Sequence, residues 1–251
     1  MTITLTALKE KIRKKELYIV SAIGVIIILM FGTGSGSITI SGVAVTDYKM
    51  LAPVLLIVVN GICCILAAIM SLSTIPNEYE RHTSHLVWIR KIPQSRYHGE
   101  LALANVISGL ISEAILFFAV FIFMLVYGKA DEVWRLIPAY LIIAVNVAAV
   151  SVMTSAVSVI IPRFAAGAVS VTVTIMGIFY ALLLTLKDII GGFGGEMVKY
   201  ALKIIPNLHA IQSQAANSLC GKTVDIHTIL TGLLAVYIFT ALILILKRKE
   251  A

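Results

Sequence analysis

MLAPVLLIVVNGICCILAAIMSLSTI, residues 50–75, decides what kind of protein this is. The run is apolar from end to end and longer than the roughly 20 residues a helix needs to cross the hydrocarbon of a bilayer. Similar runs fall at about residues 17–32, 101–127, 135–161, 167–186 and 227–246. None has the short alternating or amphipathic pattern of a water-soluble element. The expected fold is an all-α integral membrane protein with six transmembrane helices, in one domain spanning residues 1–251.

Composition agrees. Of the 251 residues, 59% are hydrophobic and 13% are charged, and the mean hydropathy is +0.99. A single soluble core of this length could not hide so much apolar surface. The net charge of +7 is not a nucleic-acid signature, because the basic residues sit at the ends of apolar runs and no aromatic-interleaved basic motif is present. Cys63 and Cys64 are adjacent inside the quoted run and Cys220 stands alone, so no disulfide framework is expected. The N-terminus does not read as a cleavable signal peptide, since Met30 and Phe31 follow the first run in place of small residues.

Charge sets the orientation. Lys9, Lys11, Arg13, Lys14 and Lys15 precede the first run; Arg81, Arg90, Lys91 and Arg96 lie between the second and third. Arg163 lies between the fourth and fifth, and Lys247, Arg248 and Lys249 follow the sixth. The positive-inside rule puts both termini in the cytoplasm. Residues 5–15, LTALKEKIRKK, read as an amphipathic interfacial helix with Leu5, Leu8 and Ile12 on one side. Residues 187–226 form an outer loop. In it, the glycine-rich turn Gly191-Gly192-Phe193-Gly194-Gly195 precedes a charged-striped helix, EMVKYALKII, that Pro206 stops. That helix is read as interfacial or re-entrant, with Gly192, Gly195 and Pro206 as an expected outer gate.

Several polar residues stand inside the runs. Glu113 lies halfway along the third, where a charge costs about 2.5–3.5 kcal/mol on insertion scales. Asn105, Ser108, Gly109, Ser112 and Glu113 recur at helical spacing. With Asn60 and Asn146 they are candidates for a substrate path; the alternative is that such groups bind helix to helix. Ser151, Thr154, Ser155 and Ser158 favour the second reading.

Other chemistry finds little footing. Gly221-Lys222-Thr223 resembles the end of a phosphate-binding loop, but Ala216 stands where the first glycine is needed. His82 and His85, beside Glu78 and Glu80, lack the HExxH pattern and further ligands, so no metal site is expected. No GxSxG elbow is present.

The loop 76–100, PNEYERHTSHLVWIRKIPQSRYHGE, is polar yet holds Leu86, Val87, Trp88 and Ile89, an apolar patch that suits a protein partner. Its acidic start at Glu78 and Glu80, Thr83, the apolar stretch and Pro93-Gln94-Ser95-Arg96 together resemble the permease subunits of ABC-2 type (type V fold) ABC transporters. The likeness covers almost the whole chain, including the basic N-terminal helix and the outer hairpin with Pro206-Asn207. The motif is degenerate: His82 takes the usual glycine position, and His98 and Glu100 follow Arg96 where a lysine is usual.

The resemblance implies a coupling helix that docks in a groove of a separate cytoplasmic ATPase subunit. Leu86, Val87 and Ile89 would supply docking area. Glu78, Glu80, Arg81 and Arg90 would set register, with Thr83 and Pro93 completing the motif. Arg163 and Phe164, after Pro162, would make a second contact. Two permease copies, identical or paralogous, would work with two ATPases. ATP and Mg would be bound in the partner ATPase, no cofactor in this chain, and the chain would not be an enzyme by itself. The implied cargo is an amphipathic peptide, toxin or drug, exported. Two alternatives stand beside this: a membrane-embedded metal-dependent protease using His82 and His85, and a non-enzymatic immunity or sensor protein.

Overall fold

The structure, a computed structural model, describes residues 2–13, 16–32, 39–40, 43–44, 48–80, 89 and 91–247. These are helical almost throughout. The exception is one antiparallel pair, β1 (Thr39–Ile40) and β2 (Val43–Ala44), with Thr39 opposite Ala44. The helices are α1 (Thr2–Arg13), α2 (Glu16–Gly32), α3 (Tyr48–Leu72), α4 (Thr74–Glu80), α5 (Gln94–Val126), α6 (Leu136–Ile160), α7 (Arg163–Ile178), α8 (Tyr180–Ile190), α9 (Gly192–Ile204), α10 (Leu208–Leu219) and α11 (Ile226–Ile245). A 3-10 turn, Ala130–Arg135, leads into α6.

Among the described residues, four helical stretches are long and apolar enough to cross a membrane: Tyr48–Glu80, Gln94–Val126, Ala130–Ile160 and Ile226–Ile245. A fifth is obtained if α7 and α8 count as one span, but they meet at 81°. The sequence-based count of six is therefore met only in part. The run at 17–32 forms α2, whose 17 residues extend about 26 Å, short of the roughly 30 Å hydrocarbon layer.

The bend in the run at 167–186 has a local cause. A Cβ on Gly177 would lie 2.7 Å from Pro206 O and 2.9 Å from Leu208 Cγ. The absent side chain lets the start of α10 press against the end of α7. Phe179 leaves helical geometry there, at φ −93° and ψ 24°, and α8 departs in a new direction. None of the α8 side chains is buried.

Boundaries also move. Parts of the expected loop 76–100 are helical, because α4 continues to Glu80 and α5 already begins at Gln94. Ser73 separates α3 from α4. The reason is Pro76, which has no N–H to give to Leu72 and clashes with a continuous helix. The glycine run 191–195 is not a loop either. Gly191 and Gly192 adopt positive φ of 58° and 51°, and α9 begins at once, so Gly195 packs with its Cα close to Lys187 O of α8. α8 and α9 form a hairpin, and α10 lies in the bundle.

The core is built by α3, α5, α6 and α10. Leu55, Leu56, Val59, Leu116, Val120, Phe123, Ile143, Val147, Leu208 and Leu219 are buried together. Elsewhere the surface is apolar: Phe118, Leu141, Leu182, Phe193, Leu230, Leu233 and Tyr237 are exposed. Exposed apolar area on this scale suits lipid and not water. A smaller cluster of Ile75, Tyr97, Leu101 and Val159, with Ile3 and Leu246 against it, brings α1 and the end of α11 to the same end of the bundle.

Candidate functional site

Two polar clusters and one isolated carboxyl hold the residues singled out above among the buried polar groups. The first lies where α1 meets the break between α3 and α4. α1 covers residues 2–13, overlapping the expected interfacial helix 5–15, and turns two polar side chains to the bundle. Thr4 and Lys11 are buried, whereas Leu5 and Ile12 are exposed. Thr4 Oγ1 donates to Glu100 O at 3.2 Å. Lys11 Nζ donates to Met70 O at 2.7 Å, to Asn105 Oδ1 at 2.7 Å and to Ser108 Oγ at 3.2 Å. The physical reason is that Leu5 and Ile12 lose nothing in lipid, while a buried cation is tolerated only where acceptors meet it.

Asn105 is the hub of this cluster. Its Oδ1 also accepts from Thr74 Oγ1 at 2.7 Å, and its Nδ2 donates to Ser155 Oγ at 2.9 Å and Ser71 O at 3.4 Å. Ser112 Oγ donates to Ser108 O at 2.9 Å and to Met70 Sδ at 3.5 Å. Five helices thus converge on one side chain and its neighbours.

The second cluster joins α3, α6 and α10. Asn146 Nδ2 donates to Asn60 Oδ1 at 3.0 Å and to Leu208 O at 2.9 Å. Cys64 Sγ donates to the same Asn60 oxygen at 3.5 Å. Asn60, Asn105, Ser112 and Asn146, candidates for one path, therefore belong to two separate interhelical networks.

Glu113 differs from all of them. It is fully buried, and neither carboxyl oxygen has a hydrogen-bond partner. A polar group placed so deep without partners costs free energy that packing must offset.

The expected coupling residues gather at the α4 end. Tyr97 Oη donates to Glu78 Oε2 at 2.7 Å, and Tyr79 Oη lies 2.7 Å from His98 Nε2. These paired contacts, between neighbours in α4 and neighbours in α5, clamp the base of the intervening loop. Arg163 Nη1 donates to Asn77 Oδ1 at 3.3 Å, which ties the start of α7 to α4. An open groove of about 820 Å³ runs between them, lined by Leu72, Glu80, Pro162, Arg163, Phe164 and Val171. Phe164 is 91% exposed and Ile89 76% exposed. Pro93 precedes the first turn of α5, where Tyr97 N bonds its carbonyl at 3.1 Å. Arg81, Thr83, Leu86, Val87 and Arg90, together with His82 and His85, lie outside the described residues.

At the opposite end, Gly192 sits in open space and Gly195 lies against α8. Pro206 O accepts from Leu208 N at 2.9 Å where α10 begins. Asn207 caps that helix through Oδ1, which accepts from Ala210 N at 2.9 Å. Among the described residues, no group of three or more His, Cys, Asp or Glu side chains is arranged to hold a metal.

The residues that pattern reading missed are Lys11, Thr74, Tyr97 and His98. Lys11 left one signal. On a helical wheel it stands about 160° from Lys9 and Arg13, the other basic residues of α1, and shares its side with Thr4 and Ala7. Tyr97 and His98 left none, because their partners Glu78 and Tyr79 lie 19 positions earlier in the sequence. No known family model matches the chain, and no curated protein does.

Proposed function

We propose that the chain is the permease subunit of an ATP-driven ABC exporter, embedded in a bacterial plasma membrane by six spans with both termini cytoplasmic. It works as a dimer with two separate ATPase subunits, which bind the ATP and Mg, and it moves an amphipathic peptide or toxin outward. On this reading α2 and the bent pair α7–α8 supply the remaining spans, and the α8–α9 hairpin with Gly192, Gly195 and Pro206 forms the outer gate. Glu113 is the polar residue we assign to the transport path; Asn60, Asn105, Ser112 and Asn146 hold helices in place.

The observation that carries the reading is the groove that joins two segments far apart in sequence. Glu80 at the end of α4 and Arg163-Phe164 at the start of α7 line it together, and the Asn77–Arg163 bond fixes their spacing. A phenylalanine almost fully exposed beside charged groups at a loop suits a protein partner with an apolar slot and a polar rim. Among the described residues the fully buried charged side chains are Lys11 and Glu113, and such a bundle suits an amphipathic cargo better than a sugar or ion.

The test is co-purification with the ATPase encoded beside this chain, followed by ATPase assays in lipid. The complex should form, and Phe164→Asp or Glu80→Lys should weaken it while leaving the isolated chain folded. An ATPase that neither binds nor responds to the wild-type chain ends the proposal.

A further inference from the structure

The socket around Lys11 has a consequence independent of cargo or ATPase. An ammonium has three N–H donors and no acceptor. Met70 O, Asn105 Oδ1 and Ser108 Oγ take one each. Met70 is near the end of α3, Asn105 and Ser108 are on α5, and Lys11 reaches them from α1. Thr74, the first residue of α4, donates to the same Asn105 oxygen at 2.7 Å. One oxygen atom therefore receives both α1 and α4. The nitrogen of the same amide holds Ser155 of α6, so Asn105 cannot turn to serve one helix without letting go of another.

Charge-assisted bonds of this kind are stronger than neutral ones, and their loss in a buried site is costly. The helix break next to them is bridged by Thr74 Oγ1, which also reaches Met70 O at 3.2 Å. Ser73 interrupts the helix, and a small cavity of about 20 Å³ beside Lys11, lined by Glu10, Ser73, Asn77 and Glu78, has room for about one water.

We infer that Lys11 is a latch that couples α1 to α4: the socket holds α1 more firmly while α4 keeps its position, and holds α4 more firmly while Lys11 fills it, in addition to the Thr4–Glu100 bond on α1 and the Tyr97, His98 and Arg163 contacts on α4. The device sits at the base of the segment that leads from α4 to α5, so a displacement of that segment is passed to α1. Linkage requires the coupling to act equally in both directions.

Hydrogen exchange on the full chain in lipid nanodiscs reads it directly. Lys11→Met keeps the apolar stem and removes all three donors. Exchange should rise about tenfold in peptides from both α1 and α4, as expected when charge-assisted bonds that hold both are lost. Thr74→Val removes one donor that does not touch α1, yet it should raise exchange in α1 at least about threefold. Exchange in α4 that is unchanged by Lys11→Met, or exchange in α1 that is unchanged by Thr74→Val, overturns the latch. If Lys11→Met does not fold, the milder Thr74→Val variant decides alone.

Discussion

Asn146→Leu separates helix adhesion from transport more cleanly than any other substitution. Asn146 is buried in α6 and donates one amide N–H to Asn60 of α3 and the other to Leu208 of α10. Leucine has a similar volume, so cavity formation contributes little. Interhelical hydrogen bonds in membrane proteins average about 0.6 kcal/mol and reach about 1.7 kcal/mol. Two of them give an expected loss of about 1–3 kcal/mol. The upper part of that range is reduced because Asn146 Oδ1 already lacks a partner, and removing an orphaned acceptor recovers some free energy. Asn60 Oδ1 would keep only the weak Cys64 thiol donor.

The assay is a double-mutant cycle of Asn60→Leu and Asn146→Leu, measured by reversible unfolding in mixed micelles. The two substitutions should be non-additive by about 0.6–1.7 kcal/mol, the value of the one bond they share. Asn146→Leu alone should cost more than Asn60→Leu, because it also gives up Leu208. Strict additivity would refute the reasoning. So would an Asn146→Leu chain of wild-type stability that no longer transports, since that outcome returns Asn146 to the substrate path.

Other substitutions probe the rest of the structure. Glu113→Met should leave stability unchanged or raise it by about 1–3 kcal/mol, because both carboxyl oxygens are buried without partners, while transport falls; a large loss of stability would reveal an unseen partner. Gly177→Ala places a Cβ 2.7 Å from Pro206 O and should cost about 1–3 kcal/mol by overpacking; a neutral result in thermal melts would mean that the α7–α8 bend does not depend on that contact. At the start of α11, the Thr228 hydroxyl and the His227 N–H hold the Asp225 carboxyl below the usual carboxylate range. A depressed pKa adds stability above the unfolded value and loses it as pH falls through the folded one. The stability advantage of wild type over Asp225→Ala should therefore be full at about pH 6 and shrink toward about pH 3, and a gap that widens on acidification would contradict the capping role.

How far the sequence could be read depended on the range of the forces involved. The solvent was legible, because a run such as residues 50–75 carries its own reason for being in lipid. The helicity of α1 and the stop before Pro206 were legible from local pattern as well; the α8–α9 hairpin was not, because residues 180–186 read as the end of an apolar span. Boundaries at 76–100 were read too early and too late, since Pro76 breaks a helix that tertiary contacts then resume as α4. Glu78, assigned to docking, also has a carboxylate that accepts from Tyr97, a contact no local pattern shows.

By itself, then, the sequence determined the all-helical membrane character, the number of apolar runs and the presence of costly polar groups within them. Those follow from transfer free energies, which depend on each residue and its near neighbours. Only the tertiary structure decided that the run at 167–186 turns by 81°, that Lys11 faces inward to an amide about 94 positions away, and that Glu113 has no hydrogen-bond partner while Asn146 has two. Hydrogen bonds and close packing act within a few ångströms, and which groups come within that reach is set by how the helices cross, which periodicity along one chain does not encode.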